Sequence, residues 1–147
     1  MSEPIILLVE DNPNDEALTL RALKKNNIMN KVIVARDGAA ALDYLFARGA
    51  YAHRGAAEVP QVVLLDLNLP KIGGLEVLRA LRADERTKLL PVVILTSSKE
   101  DKDLFAGYSS GANSYVVKPV EFTQFSEAVR QLGLYWLVLN EPAPTAT

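Results

Sequence analysis

Val62-Val63-Leu64-Leu65-Asp66 is an unbroken apolar run that closes on a carboxylate, and Ile5-Ile6-Leu7-Leu8-Val9 closes on two, Glu10 and Asp11. Three more short runs repeat the form with other polar ends. Val32-Ile33-Val34-Ala35 leads into Arg36-Asp37-Gly38, Val92-Val93-Ile94-Leu95 into Thr96-Ser97-Ser98, and Ser114-Tyr115-Val116-Val117 into Lys118-Pro119. Short apolar runs without alternation read as strands covered on both faces, the pattern of a parallel sheet.

Helical patterns fill the gaps. Asn12-Pro13 is a start signal, a capping side chain followed by proline at the first helical position. Ala17, Leu20 and Leu23, with Leu18 alongside, supply an apolar face for this first helix; Ala41, Leu42 and Leu45 do so for a second, and Leu75, Leu78 and Leu81 for a third. Ser98-Lys99-Glu100-Asp101 has the form of a capping box ahead of Leu104, Phe105 and Tyr108. Phe122, Phe125, Val129, Leu132, Trp136 and Leu139 mark a fifth helix. Strand–helix units repeated in this way predict an α/β domain: a doubly wound, five-stranded parallel sheet with helices on both faces and the flavodoxin-like strand order 2-1-3-4-5. Gly49–Pro60, rich in small residues, reads as a solvated surface loop. Residues 1–140 are expected to form the domain, and 141–147, with Pro142 and Pro144, a flexible tail.

The 147 residues suit one domain, and 49% apolar with 23% charged residues is ordinary for a globular chain. Sixteen basic against eighteen acidic residues leave no excess for binding a nucleic-acid backbone. The absence of cysteine removes disulfides, thiol catalysis and zinc–thiolate sites, and the single histidine, His53, leaves no two-histidine metal site. The longest wholly apolar stretch, Leu134–Leu139, is too short to span a bilayer, and no signal-like segment opens the chain. The expectation is a cytoplasmic domain with no nucleic acid or membrane partner. Its chemistry then rests on carboxylates, hydroxyls, lysines and a hard metal ion.

Ligands of open α/β sheets bind beyond the carboxyl ends of the strands. The first strand delivers Glu10 and Asp11 there, the third Asp66, the fourth Thr96 and the fifth Lys118. Each alone has an everyday explanation as a cap, a turn residue or a solvated lysine; their convergence on one edge does not. Carboxylates a few ångströms apart repel by about 4 kcal/mol per pair at an effective dielectric near 20. Mg²⁺, which prefers oxygen ligands, relieves that repulsion, with Mn²⁺ as a substitute. The same set suits a carboxylate nucleophile that attacks phosphorus, with Lys118 balancing charge and Thr96 donating to a phosphoryl oxygen.

Val-Glu-Asp-Asn-Pro at 9–13, Leu-Leu-Asp-Leu-Asn-Leu-Pro at 64–70 followed by Gly73-Gly74, Leu-Thr-Ser-Ser at 95–98 and Val-Lys-Pro at 117–119 resemble the receiver domain of two-component response regulators, over roughly residues 4–132. The resemblance implies Asp66 as phosphoacceptor, Asp11 as a direct Mg²⁺ ligand, and Glu10 as a ligand acting mainly through water. The Asn68 carbonyl is implied as a further ligand. Thr96 and Lys118 are implied to contact the phosphoryl group, Thr96 and Tyr115 to form the switch, and Asn68 and Ser98 to tune dephosphorylation. Asn12-Pro13-Asn14-Asp15, Leu67-Asn68-Leu69-Pro70, the Gly49–Pro60 loop and Leu134-Tyr135-Trp136-Leu137 are similar to the small response regulators paired with phytochrome histidine kinases. The implied partner is such a kinase.

Eight residues after Leu139 leave no room for an output module, so output is expected through the domain's own surface. The last helical stretch is apolar on all sides, with Leu134, Leu137 and Val138 beyond the core-facing stripe. This predicts a homodimer through the fourth helix, fifth strand, fifth helix and C-terminal extension, with Phe105, Tyr108, Tyr115, Phe122 and Trp136 on the surface. The domain is then not an enzyme beyond its own phosphorylation and dephosphorylation. One alternative is an intermediate phosphate carrier in a multi-step phosphorelay. Another is a Mg²⁺-dependent aspartyl-phosphate phosphatase of the haloacid-dehalogenase type. That type needs Asp-x-Asp on the first strand and a cap domain, whereas Asp66-Leu67-Asn68 lies on the third. A degenerate binding module would lack one of the Asp, Thr or Lys residues, and none is missing.

Overall fold

The computed structural model describes residues 5–26, 28, 30–54, 59–96, 111–118, 120, 123–124 and 127. Five strands, β1 (Ile5–Val9), β2 (Lys31–Ala35), β3 (Val62–Asp66), β4 (Val92–Thr96) and β5 (Ser114–Val117), form one sheet in the order β2-β1-β3-β4-β5. Every neighbouring pair is parallel. Helices α1 (Pro13–Lys25), α2 (Gly38–Leu45) and α3 (Gly74–Ala83) connect them. Residues 123, 124 and 127 are helical, where the fifth helix is expected. The predicted fourth helix, the remainder of the fifth and the boundary at residue 140 lie outside the described residues.

Alternation along the strands builds two apolar layers from the same runs. Ile6, Leu8, Val62, Leu64, Val93 and Leu95 pack with Ala22 and Leu23 of α1, while Leu7, Val9, Val63, Leu65, Val92 and Ile94 pack with α2 and α3. Successive strand residues face opposite sides, so a strand covered on both must be apolar throughout. β1, β3 and β4 are buried at every position. Each fully buried Leu or Ile there contributes roughly 1.5–3 kcal/mol relative to an exposed one. β2 and β5 flank them and are only partly covered, with Lys31 and Tyr115 exposed.

Two expected helix faces shift. α1 buries Thr19, Ala22 and Leu23, while Ala17 is exposed and Leu20 half-buried; α3 buries Val77, Leu78 and Leu81, with Leu75 half-buried. Steps of three drift around a 3.6-residue helix, whereas the i, i+3, i+4 sets stay in one stripe. The described part of the Gly49–Pro60 stretch is mostly exposed, as expected of a surface loop, yet it is anchored. Gly49–Tyr51 forms a 3-10 turn, Tyr51 meets Tyr44 edge-on at 5.0 Å, and the Arg54 guanidinium lies over the Tyr44 ring while donating to the Tyr44 and Leu45 carbonyls. That guanidinium satisfies carbonyls at the end of α2, which ties the first half of the loop down.

Candidate functional site

Strand parity places the acids. Glu10 continues the Ile6, Leu8 series and Asp66 the Val62, Leu64 series, so both carboxylates lie on the α1 side. The β1–β3 register pairs Val9 with Leu65, and one step further sets Glu10 beside Asp66. Glu10 is fully buried and Asp66 is 3% exposed, while Asp11, at the start of the turn into α1, is exposed. Carboxylate oxygens of Glu10, Asp11 and Asp66 all lie within 4.8 Å of one another.

Lys118 leaves β5 on the same side. Its backbone N–H donates to the Thr96 carbonyl at 2.7 Å, which fixes where the side chain begins. Nζ then lies 2.8 Å from Glu10 Oε1, 2.9 Å from Asp15 Oδ2 and 3.0 Å from Asp66 Oδ2. Burial works against the ammonium charge, but hydrogen bonds to Glu10, Asp15 and Asp66 outweigh it and hold the Lys118 pKa above its ordinary value. The cation therefore stays charged at neutral pH. Burial pushes the Glu10 carboxyl up to about 7, with the Asp66 charge adding to the rise and Lys118 opposing it.

Asn68 is exposed, and its backbone N–H donates to Asp66 Oδ1 at 3.0 Å, closing a turn that aims the carboxylate. The loop bearing Asn68 is braced on both sides. A Cβ at Gly38 would lie 2.0 Å from the Ile72 carbonyl oxygen, and one at Gly74 2.4 Å from that of Asp66, so only glycine allows these approaches. Thr96 is buried at the end of β4. Tyr115 is 37% exposed on the face of β5 opposite Ser114 and Val116. Ser98, Phe105, Tyr108, Phe122 and Trp136 lie outside the described residues.

Sequence reasoning missed Asp15 as a site residue. Asn12 caps α1, its Oδ1 accepting from the backbone N–H groups of Asn14 and Asp15. Asp15 therefore falls in the first helical turn, where an acid is favoured by the helix dipole alone. The spacing Glu10-Asp11-x-x-x-Asp15 was its only available signal.

Among the described residues, Glu10, Asp11 and Asp66 are the group able to hold a metal ion. They offer only oxygen donors, as a hard divalent cation requires, and exposed Asp11 keeps the group open to solvent. With Asp15 they outnumber the single Lys118 charge, so the residues fit such a cation. No described helix is long and apolar enough to cross a membrane.

Residues 6–130 match the response regulator receiver domain. The chain is 43% identical over 141 residues to the probable methanogenesis regulatory protein FilR2 of Methanothrix harundinacea, covering 95% of this chain and 88% of the relative. It is 37% identical over 133 residues to the response regulator Rcp1 of Synechocystis sp., covering 90% and 88%. A structure of Rcp1 in its Mn²⁺-bound form superposes with a TM-score of 0.74 at 35% identity, covering 97% and 99%. The bacteriophytochrome response regulator RtBRR superposes with a TM-score of 0.86 at 52% identity, covering 98% of this chain and 86% of that one. With this fold, and with three carboxylates and a lysine gathered at its strand ends, the chain belongs to the response regulator receiver domain family.

Proposed function

We propose that Asp66 accepts a phosphoryl group from a phytochrome-type sensor histidine kinase, and that Mg²⁺ is the ion held by Glu10, Asp11 and Asp66. The observation that carries this reading is a buried carboxylate at the end of the central strand, within 4.8 Å of two other acids and 3.0 Å from a lysine ammonium. An Asp66 oxygen attacks phosphorus, forming an O–P bond as the bond from phosphorus to the donor breaks and the donor keeps the electron pair. The Asn68 N–H, already on Asp66 Oδ1, holds the carboxylate in place. Lys118 stands beside the nucleophile to meet the charge that arrives with the phosphoryl oxygens. A bound divalent cation supplies the further positive charge for those oxygens. Thr96, buried at the neighbouring strand end, donates its hydroxyl to the phosphoryl group. Exposed Tyr115 provides the movable aromatic side chain on the output face. That face is proposed to form a homodimer.

The likeness to RtBRR supports the phytochrome pairing. Incubation with acetyl phosphate and Mg²⁺ should add a single phosphoryl group by intact mass, and Asp66→Ala should abolish it. Stoichiometric labelling of the Asp66→Ala chain would show that the acceptor lies elsewhere. Transfer from a purified phytochrome kinase, compared under red and far-red light, tests the pairing separately.

A further inference from the structure

We infer that Asp15 is a positioning residue: it holds the Lys118 ammonium in the resting protein and competes with the incoming phosphoryl group for it. This rests on the assignment of Asp66 as phosphoacceptor. A lysine ammonium has three hydrogens to donate and accepts nothing. Oxygens of Glu10, Asp15 and Asp66 stand at 2.8, 2.9 and 3.0 Å from it, and those of Asp15 and Asp66 accept its hydrogen bonds. A phosphoryl oxygen that bonds Lys118 competes with these carboxylates for the one ammonium.

Burial decides which one yields. The Glu10 side chain is fully buried, with no water ready to replace a lost partner, and Asp66 is the group that carries the phosphoryl oxygens to Lys118. The Asp15 side chain is 28% exposed, on the first turn of α1. Water can solvate its carboxylate as soon as Lys118 moves away. When the O–P bond forms on Asp66, the Lys118–Asp15 hydrogen bond breaks and the ammonium turns to the phosphoryl oxygens. Hydrolysis restores the first arrangement.

The neighbouring residue supplies a control. Glu16 is the other acid of this helical turn and shares any benefit from the helix dipole, but it pairs with Arg36. A general effect of negative charge near the site therefore predicts the same behaviour for Asp15 and Glu16. Direct competition for Lys118 predicts an effect of Asp15 alone.

The test measures labelling by acetyl phosphate in saturating Mg²⁺, followed by the rate of phosphoryl loss, for the parent chain, Asp15→Asn, Asp15→Ala and Glu16→Gln. Thermal melts check that each variant is folded. Both Asp15 variants should lower the half-saturating acetyl phosphate concentration and slow phosphoryl loss, each by about two- to fivefold, the range of a partly exposed ion pair. Asp15→Ala should have the larger effect, because the asparagine amide oxygen can still accept from Lys118. Glu16→Gln should match the parent. Unchanged or slower labelling in both Asp15 variants overturns the inference, and so does an equal gain in Glu16→Gln. If the parent chain takes no phosphoryl group, the Asp66 assignment fails and this inference falls with it.

Discussion

β5 is pinned at its two ends by two basic side chains that do opposite things. Before the strand, Arg82 reaches from α3 to the Gly111 carbonyl at 2.9 Å and to Asn113 Oδ1 at 3.0 Å, and it also donates to the Thr87, Lys88 and Leu90 carbonyls. After the strand, Lys118 meets three carboxylates. Burial pulls the Arg82 guanidinium pKa down, because neutral oxygens return little charge stabilisation, whereas carboxylates hold that of Lys118 up against the same burial. The entry to β5 is fixed by the geometry of a planar fork matched to carbonyls. The exit is held by charge, and charge can be exchanged for another anion. One strand thus joins a fixed framework to an exchangeable contact.

The most severe way to break this contrast is Arg82→Ala. It strands several carbonyls at once and should lower stability by about 3 kcal/mol in urea denaturation. Arg82→Lys keeps the charge but not the fork, and should recover only a small part of that loss. Phosphorylation of the folded fraction should persist in both. Full stability in Arg82→Lys would show that charge, not geometry, matters at this end.

Next comes the pH response in a chelator. Glu10 keeps its proton up to about pH 7 in the folded chain against an ordinary 4.5. Its favourable contribution is therefore complete below pH 4.5, declines above it, and is gone once pH passes 7. This should make metal-free stability fall across that window by on the order of 2 kcal/mol, a slope that Glu10→Gln flattens. The same slope in parent and variant would place the titration elsewhere.

A smaller effect sharpens the view of the exchangeable end. Mg²⁺ at ten times its dissociation constant should stabilise the fold by about 1.4 kcal/mol. Asp11→Ala should remove most of that gain and Glu10→Ala somewhat less, while Arg82→Ala, however destabilised, keeps it. Melting temperatures with Mg²⁺ and with chelator measure this, and an unchanged gain in both acid variants excludes the site.

The sheet was legible because each strand is a short apolar run, and the strand ends were legible because the run stops where polar residues begin. Glu10, Asp11, Asp66 and Lys118 could therefore be placed on one edge from sequence alone. What escaped were contacts that a helix or a long side chain makes across the fold. Asp15 looks like a helix-start acid until Lys118 is seen on it, and the acceptors of Arg82 are mostly backbone carbonyls, which leave no mark on residue type. Ala17 and Leu75 misled for a different reason, since steps of three satisfy an apolar count without staying on one face. The repulsion among the acids was anticipated, but not that Lys118 is drawn between two of them.

Gly74 gives Asp66 a hard backstop. The first turn of α3 is pressed so closely against β3 that a methyl group at residue 74 would lie 2.4 Å from the Asp66 carbonyl oxygen and 2.7 Å from Leu67 Cα. The Gly74 N–H also bonds the Leu67 carbonyl at 3.1 Å, closing the gap from the other direction. Load placed on the Asp66 carboxylate cannot be relieved by recoil toward α3; the give lies across the sheet, where β5 ends on contacts that can be traded. Amide exchange on phosphorylation should accordingly change at Val117 and Lys118 and stay level at Gly74 and Val77. The domain works as a vice with one fixed jaw and one sliding jaw, and a hydrogen in place of a methyl group is what lets the fixed jaw close.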